Sequence, residues 1–421
     1  MTVTLPHEWA KIHAERDPEA PALVSDASTL TYGELDRRAD AHARRLRDAG
    51  IGEGDLVAID ATASAESVVA LVGTHRSGAV AVPRGPNTIN TDVSIDPAAY
   101  IVVPTSGSSG NPRGVILTGR NIAAAVDASQ RRLSNGARDR WLLTLPLFHV
   151  GGLSIVWRSL TAGGSMELHR RFDTDAAVLA LRGGVVTMAS LVPTMLYRIL
   201  ERDPGPYAGL TAVLLGGAPA SVGLVERALI AGLPVLQTYG MTETGSQVAT
   251  VERGTALQAL GTAGPPLSGF AVSIEDGEIL VDGPAVSPGY VGEPPRVGPH
   301  RSGDLGYVDA NGRIVVTGRK DGVIVTGGEN VFPDAVEAAI ESVPTTGQAV
   351  VFGTADDEWG QVVVAVVEAT SGDLPQIVEG VRSLVARHEV PRRWIAVDTL
   401  PLLPNGKPDR AAAQALGRAA T

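Results

Sequence analysis

The stretch VPTSGSSGNPRGVILT, residues 103–118, concentrates groups that bind anions. Thr105, Ser106, Ser108 and Ser109 offer hydroxyl donors, while Gly107, Gly110 and Gly114 let backbone N–H groups approach closely. Arg113 adds a fixed positive charge with bidentate reach. These parts suit a di- or triphosphate, although an ordinary flexible Ser/Gly loop has the same composition. The chain continues as the β-branched VILT and only then as the helical pattern NIAAAVDASQRRL. No helix N-terminus therefore faces the loop as in a Walker-type site, and a strand–loop–strand hairpin is expected.

Other stretches carry complementary chemistry. In YGMTETG (239–245), Tyr239 could stack on a purine and Thr242 could bond a phosphate oxygen. Glu243 could help to hold Mg2+, which favours one or two carboxylates plus phosphate oxygens; a plain polar turn is the alternative. GGAPAS (216–221) could wall an adenine with backbone, and it is not the G-x-G-x-x-G of dinucleotide folds. Asp304 in RSGDLG can accept from two ribose hydroxyls, or simply cap a turn. Only Lys11, Lys320 and Lys407 among the 35 basic residues are lysines. Lys407 sits in the constrained turn PNGKP. Its compact ammonium could reach between a carboxylate and a phosphate, or lie exposed at a turn tip. His149 in PLFHVGG reads as a satisfied core histidine or as a cavity edge. No spacing resembles a metal-ligand set, and no G-x-S-x-G elbow occurs.

These residues need elements to hold them. Residues 30–50 carry an apolar face at Leu35, Ala39, Ala43 and Leu46 and predict a helix. DLVAID (55–60) predicts a strand, ESVVALVGTHRSG (66–78) a helix and AVAVP the next strand. Residues 184–240 alternate strand and helix: VVTMAS, VPTMLYRILE, TAVLLGG, SVGLVERALIAG with Ser221 as N-cap, and PVLQTYG. Such alternation implies a parallel sheet, and ligands bind beyond the carboxyl ends of its strands. GGAPAS and YGMTETG should therefore face one crevice. From Gly261 the strand–turn–strand patterns around EDGE and DANG predict a small antiparallel β subdomain. After GRKDG the order PDAVEAAIESV helix, QVVVAVVEAT strand, LPQIVEGVRSLVARHE helix and RRWIAV strand predicts a compact α+β domain. The expected fold is α/β: a large N-terminal domain, residues 1–320, of parallel α/β sheets plus the antiparallel subdomain, then a small mobile C-terminal domain, residues 321–421.

Composition bounds the rest. A chain of 421 residues exceeds one compact core. The formal net charge of −11 argues against a general nucleic-acid or membrane-surface binder. With no cysteine, disulfides, thiolate metal sites and a cysteine nucleophile are excluded, so any thiol must come with a partner. Neither an apolar signal core nor a bilayer-spanning run is present, and a soluble cytoplasmic protein is expected.

In this order, the motifs resemble those of the adenylate-forming superfamily: acyl-CoA synthetases, peptide-synthetase adenylation domains and luciferases. TSGSSGNPRG is similar to its phosphate loop, YGMTETG to its nucleotide and Mg2+ motif, and RSGDLG to its ribose motif. GRKDGVIVTGGENVFPDAVE resembles its hinge and PNGKPDR its catalytic-lysine loop. The resemblance implies two half-reactions in one pocket. A carboxylate attacks the α-phosphorus of ATP, and a thiol, that of coenzyme A or of a carrier-protein phosphopantetheine, then displaces AMP. It assigns Thr105, Ser106, Gly107, Ser108, Ser109, Gly110 and Arg113 to the β- and γ-phosphates, with Thr105 also near the metal. Gly217, Ala218, Pro219, Tyr239 and Gly240 fall on the adenine side, Thr242 on the α-phosphate and Glu243 on Mg2+. Asp304 and Arg319 fall on the ribose, Asp321 on the hinge, Lys407 between carboxylate and α-phosphate, and Gly328 on the thiol channel.

Two features depart from the family. Arg113 replaces the usual loop lysine, and the stretch between AVAVP and the phosphate loop, residues 85–100, is shortened. A homodimer is compatible with the family, and the shortening bears on its contacts. PLFHVGGLS, VVTMASLVPTMLYRIL and GGENVFPDAVE resemble the o-succinylbenzoate–CoA ligases of menaquinone synthesis and their aryl-CoA relatives. An aromatic acid is then the expected substrate, with His149 at the acyl pocket, against a ring or a second carboxylate. The sequence does not single out a basic group for that second carboxylate. Loading of a carrier protein, or nucleotide binding without catalysis, are the competing expectations.

Overall fold

The computed structural model describes residues 4–86, 98–105, 112–344, 346–403 and 407–419. Ser106, Gly107, Ser108, Ser109 and Gly110, assigned above to phosphates, and most of the shortened stretch lie outside the described residues.

An eight-stranded sheet forms the centre of the larger lobe. Its strands run in the order Ser246–Thr250, Val235–Met241, Ala212–Leu215, Met188–Leu191, Arg140–Leu143, Ser165–Leu168, Pro21–Ser25 and Ser28–Thr31. The internal pairings are parallel and the two edge pairings antiparallel. A second sheet combines the parallel strands Leu56–Ile59, Val80–Pro83 and Ala99–Thr105 with Arg113–Thr118 and the short Gly289–Tyr290. Ala99–Thr105 and Arg113–Thr118 are antiparallel, with Thr105 opposite Arg113. The anion-binding stretch is thus a hairpin, as the order of its elements predicts.

The neighbouring strands Ala212–Leu215 and Val235–Met241 are parallel, with Leu215 opposite Gln237. Their polar turns consequently emerge at the same sheet end. Ser221 caps the helix Val222–Ile230 by accepting from Leu224 N–H. A four-stranded antiparallel sheet carries His300–Val308 beside Ile314–Arg319, with Asp304 opposite Arg319. The smaller lobe packs helices on both faces of a sheet centred on Ala349–Asp356 and Gly360–Glu368. Every buried apolar cluster lies wholly before residue 321 or wholly after it.

Three expectations shift. The helix read over 374–389 ends at Arg382, where Ser383 Oγ bonds back to the Gly380 carbonyl at 2.7 Å. The strand read as VVTMAS starts at Met188; at Thr187 the side-chain Oγ1, not the backbone carbonyl, accepts the Arg140 N–H. The predicted helix at 30–50 spans Tyr32–Asp48, capped by Thr31 and Glu34, after a strand that ends at Thr31.

Candidate active site

Arg113 and Glu243 converge on Tyr290. Arg113 opens the second strand of the hairpin, its guanidinium 3.4 Å above the Tyr290 ring. It also forms a fork with Glu293, at 2.7 and 2.8 Å from NH2 and 3.0 Å from Nε. The Tyr290 hydroxyl donates to Glu243 Oε1 at 2.9 Å. Glu243 sits in the single turn Thr242–Thr244 that ends the long strand, with Thr242 beside it. A Cβ on Gly240 would lie 1.7 Å from the Ser246 carbonyl oxygen, so only glycine fits there.

A second knot forms around Asp304. Tyr239 Oη donates to Asp304 Oδ2 at 2.7 Å, and Arg319 NH1 donates to Asp304 Oδ1 at 3.0 Å. Arg319 Nε donates to Asp321 Oδ1 at 3.2 Å. Burial raises the Tyr239 pKa, and the charge of Asp304 adds to it, so the phenol stays a donor. His300 joins the two knots. Burial lowers its pKa, Glu243 and Asp304 oppose that, and Arg296 and Arg113 reinforce it. Arg113, Glu243 and Asp304 thus all lie within electrostatic range of one imidazole.

Lys407 approaches from the smaller lobe. A Cβ on Gly217 would stand 3.4 Å from Lys407 Cε, 3.5 Å from Nζ and 3.5 Å from Val192 Cγ1. Gly217 has φ +79°, a second reason for glycine there. The backbone of Gly217, with Ala218 and Pro219 following, thus gives the lysine room. Lys407 as a residue is partly exposed, but burial around its ammonium lowers its pKa. His149 precedes the helix Val150–Ala162, its ring centroid 4.4 Å from that of Phe148. Burial, then the charge of Lys407, bring its pKa down to about 4, so the imidazole is neutral near pH 7. A neutral ring can line an acyl pocket or share a hydrogen bond but cannot balance a carboxylate. Thr105 bonds the Arg113 carbonyl at 3.2 Å, at the mouth of the hairpin. Gly328, at φ +85°, is exposed with no atom within 4 Å of a built Cβ, and is not gathered into this cluster.

The sequence reading passed over Tyr290, Glu293, His300 and, most notably, Arg158. Arg158 lies in the buried segment LSIVWRSL, only 2% exposed, and NH2 donates to Ser246 Oγ at 3.3 Å. NH1 has no hydrogen-bond partner among the described residues, and no carboxylate offsets the burial that lowers its pKa to about 9. The signal was available: one arginine inside an otherwise apolar helix. Ser246 follows YGMTETG directly, so this cation lies just behind the nucleotide motif.

Among the described residues no group of three or more His, Asp or Glu could hold a metal ion alone. A single oriented carboxylate, Glu243, linked through Tyr290 to Arg113 of the hairpin, fits a hard cation such as Mg2+ that takes its remaining ligands from phosphate and water. No helix among the described residues is long and apolar enough to cross a membrane.

Comparison with known proteins agrees with this geometry. The AMP-binding enzyme family matches residues 10–94 and 89–291, and the AMP-binding enzyme C-terminal domain matches residues 335–407. The 2-succinylbenzoate–CoA ligase of Bacillus licheniformis is 33% identical, covering 93% of this chain and 96% of that enzyme. The Geobacillus kaustophilus enzyme of the same name is 35% identical over 94% and 95%. The o-succinylbenzoate CoA synthetase of Bacillus subtilis, solved with its acyl-adenylate intermediate, superposes with a TM-score of 0.86 at 29% identity, covering 98% of each chain. The same enzyme with ATP and magnesium gives 0.84, covering 97% of this chain and 99% of that one. The chain belongs to the AMP-binding enzyme family, the adenylate-forming enzymes that its phosphate-loop, nucleotide and lysine motifs resemble.

Proposed function

We propose that this enzyme is an AMP-forming acid–CoA ligase that activates o-succinylbenzoate for menaquinone synthesis. The observation that carries the reaction class is Lys407 reaching from the smaller lobe to the turn at Gly217, within electrostatic range of His149. Two anions must meet there, and the ammonium is the cation that reaches between them. A carboxylate oxygen attacks the α-phosphorus, the bond to the β-phosphate breaks, and pyrophosphate leaves. The coenzyme A thiolate then attacks the acyl carbon, and AMP departs with the oxygen donated by the acid.

In this reading Arg113 and the hairpin groups bind the outer phosphates, Thr242 the α-phosphate, and Tyr239 with Gly217, Ala218 and Pro219 the adenine. Asp304 and Arg319 bind the ribose. Glu243 would hold Mg2+, which neutralises phosphate charge when bound. Arg158 supports a dicarboxylate as the acid. A buried guanidinium without a carboxylate is unfavourable in the free protein, and a substrate's second carboxylate would offset it. The lobes are taken to divide at Asp321. ATP and coenzyme A are intracellular metabolites, so the reading assigns the enzyme to the cytoplasm.

The test is to incubate the protein with ATP, Mg2+ and a panel of acids including o-succinylbenzoate, then identify the nucleotide. AMP and pyrophosphate, with thioester after free coenzyme A is added, support the reading. ADP would replace it with a kinase, nucleotide binding without turnover with a non-catalytic homologue, and AMP without transfer to coenzyme A with a carrier-protein ligase.

A further inference from the structure

A buried hydrogen bond joins the two lobes away from the hinge. Gln348 Nε2 donates to Thr194 Oγ1 at 2.8 Å, and the two residues are only 8% and 3% exposed. Thr194 belongs to the first turn of the helix Pro193–Arg202. Two residues earlier stands Val192, which shares the space at Gly217 with Lys407. The larger-lobe end of this bond is therefore built into the wall that receives the lysine.

The other end is wired to the lysine loop. Gln348 N–H donates to Glu368 Oε2 at 3.1 Å, and its carbonyl accepts from Glu368 N–H at 2.8 Å. The second carboxylate oxygen, Glu368 Oε1, accepts from Leu400 N–H at 2.8 Å. Leu400 is buried at the root of the segment that turns back at Lys407. There Leu403 N–H donates to the Lys407 carbonyl, and Asp409 N–H donates to that of Pro401, both at 2.8 Å. A Cβ on Gly347 would come within 2.7 Å of Glu368 Oε2, so glycine before Gln348 lets the carboxylate sit this close.

We infer that Thr194, Gln348 and Glu368 form a docking latch that sets the pose of Lys407. They are positioning residues for adenylate formation, with one carboxylate holding both the docking glutamine and the root of the lysine loop. The inference rests on the two-step reaction proposed above. The second step starts from a formed adenylate and has no carboxylate to bring up to a triphosphate, so it does not need the latch.

The experiment measures ATP–pyrophosphate exchange and, separately, thioester formation from supplied acyl-adenylate, in wild type, Gln348→Ala, Thr194→Val, the double variant and Thr194→Ser. Each single variant should slow exchange about two- to twelve-fold, as expected for one neutral hydrogen bond. The double variant should be no slower than the worse single one, because both remove the same bond. Thr194→Ser keeps the hydroxyl and should keep wild-type exchange, and thioester formation should be unchanged throughout. Unchanged exchange, additive losses, or equal loss in both steps would overturn the latch. Failure of wild type to exchange with any acid would instead refute the functional reading.

Discussion

Replacing Arg158 with methionine tests how the acid is recognised. Methionine is long, unbranched and apolar, so the change removes the charge with little change in volume. Burial lowers the Arg158 pKa to about 9, a penalty on the charged form on the order of a few kcal/mol. The sign follows from proton binding. Above about pH 9, up to the ordinary arginine range, the unfolded chain holds more protons than the folded one, so stability rises with pH only there, and below about 9 the full penalty remains. Arg158→Met should therefore raise the unfolding midpoint of the free protein at pH 7. On the proposed pairing, with o-succinylbenzoate bound the same change would strand the substrate's second carboxylate. Loss of one partner of a buried charge pair costs about 2–5 kcal/mol, or roughly 30- to several-thousand-fold in kcat/KM. An analogue in which the non-activated carboxylate is replaced by hydrogen should lose far less. The assay is AMP release with both acids, alongside thermal unfolding without ligand. Undiminished preference for the dicarboxylate, or a less stable free protein, would refute the reasoning.

Other consequences are as direct. Lys407→Ala should abolish pyrophosphate exchange yet spare thioester formation from supplied adenylate; equal loss in both assays would show a wider role. Because burial lowers the Lys407 pKa, the alkaline limb of kcat/KM for adenylate formation should fall below pH 10.5, where an exposed lysine would titrate. His149, neutral above about 4, should add no ionisation between pH 5 and 8, which the same profile checks. In the smaller lobe, burial raises the Glu341 pKa from 4.5 to about 8. Its stabilising contribution is full below 4.5 and lost as pH rises through 8, so Glu341→Gln should flatten chemical-denaturation stability over that window.

The parts legible in the sequence were those whose local pattern states its own structure. The hairpin could be inferred because VILT intervenes between the glycines and the helix. The crevice could be inferred because two successive strands end in GGAPAS and YGMTETG, and parallel neighbours must open at the same end. Strands such as Arg140–Leu143 and Ser165–Leu168 were not assigned: RWLL and SMEL lack the β-branched residues that marked equally short strands such as Val80–Pro83. Long-range partners were equally hidden. Nothing local says that Tyr290 will lie beneath Arg113 and reach Glu243, since strand pairing brings these distant segments together. Arg158 was visible as a lone charge in an apolar helix, but only its fold environment gives that charge a meaning. The lysine motif predicted the residue, whereas docking of the lobes determines that Lys407 stands at Gly217.

The central claim is that the acid's own oxygen makes the bond to the α-phosphorus between Lys407 and the nucleotide groups. The most direct measurement uses o-succinylbenzoate labelled with 18O in its carboxylates, with ATP, Mg2+ and coenzyme A, and mass analysis of the nucleotide products. The account predicts one 18O atom in each AMP and none in pyrophosphate. Unlabelled AMP, or label in the phosphate of another product, would contradict it.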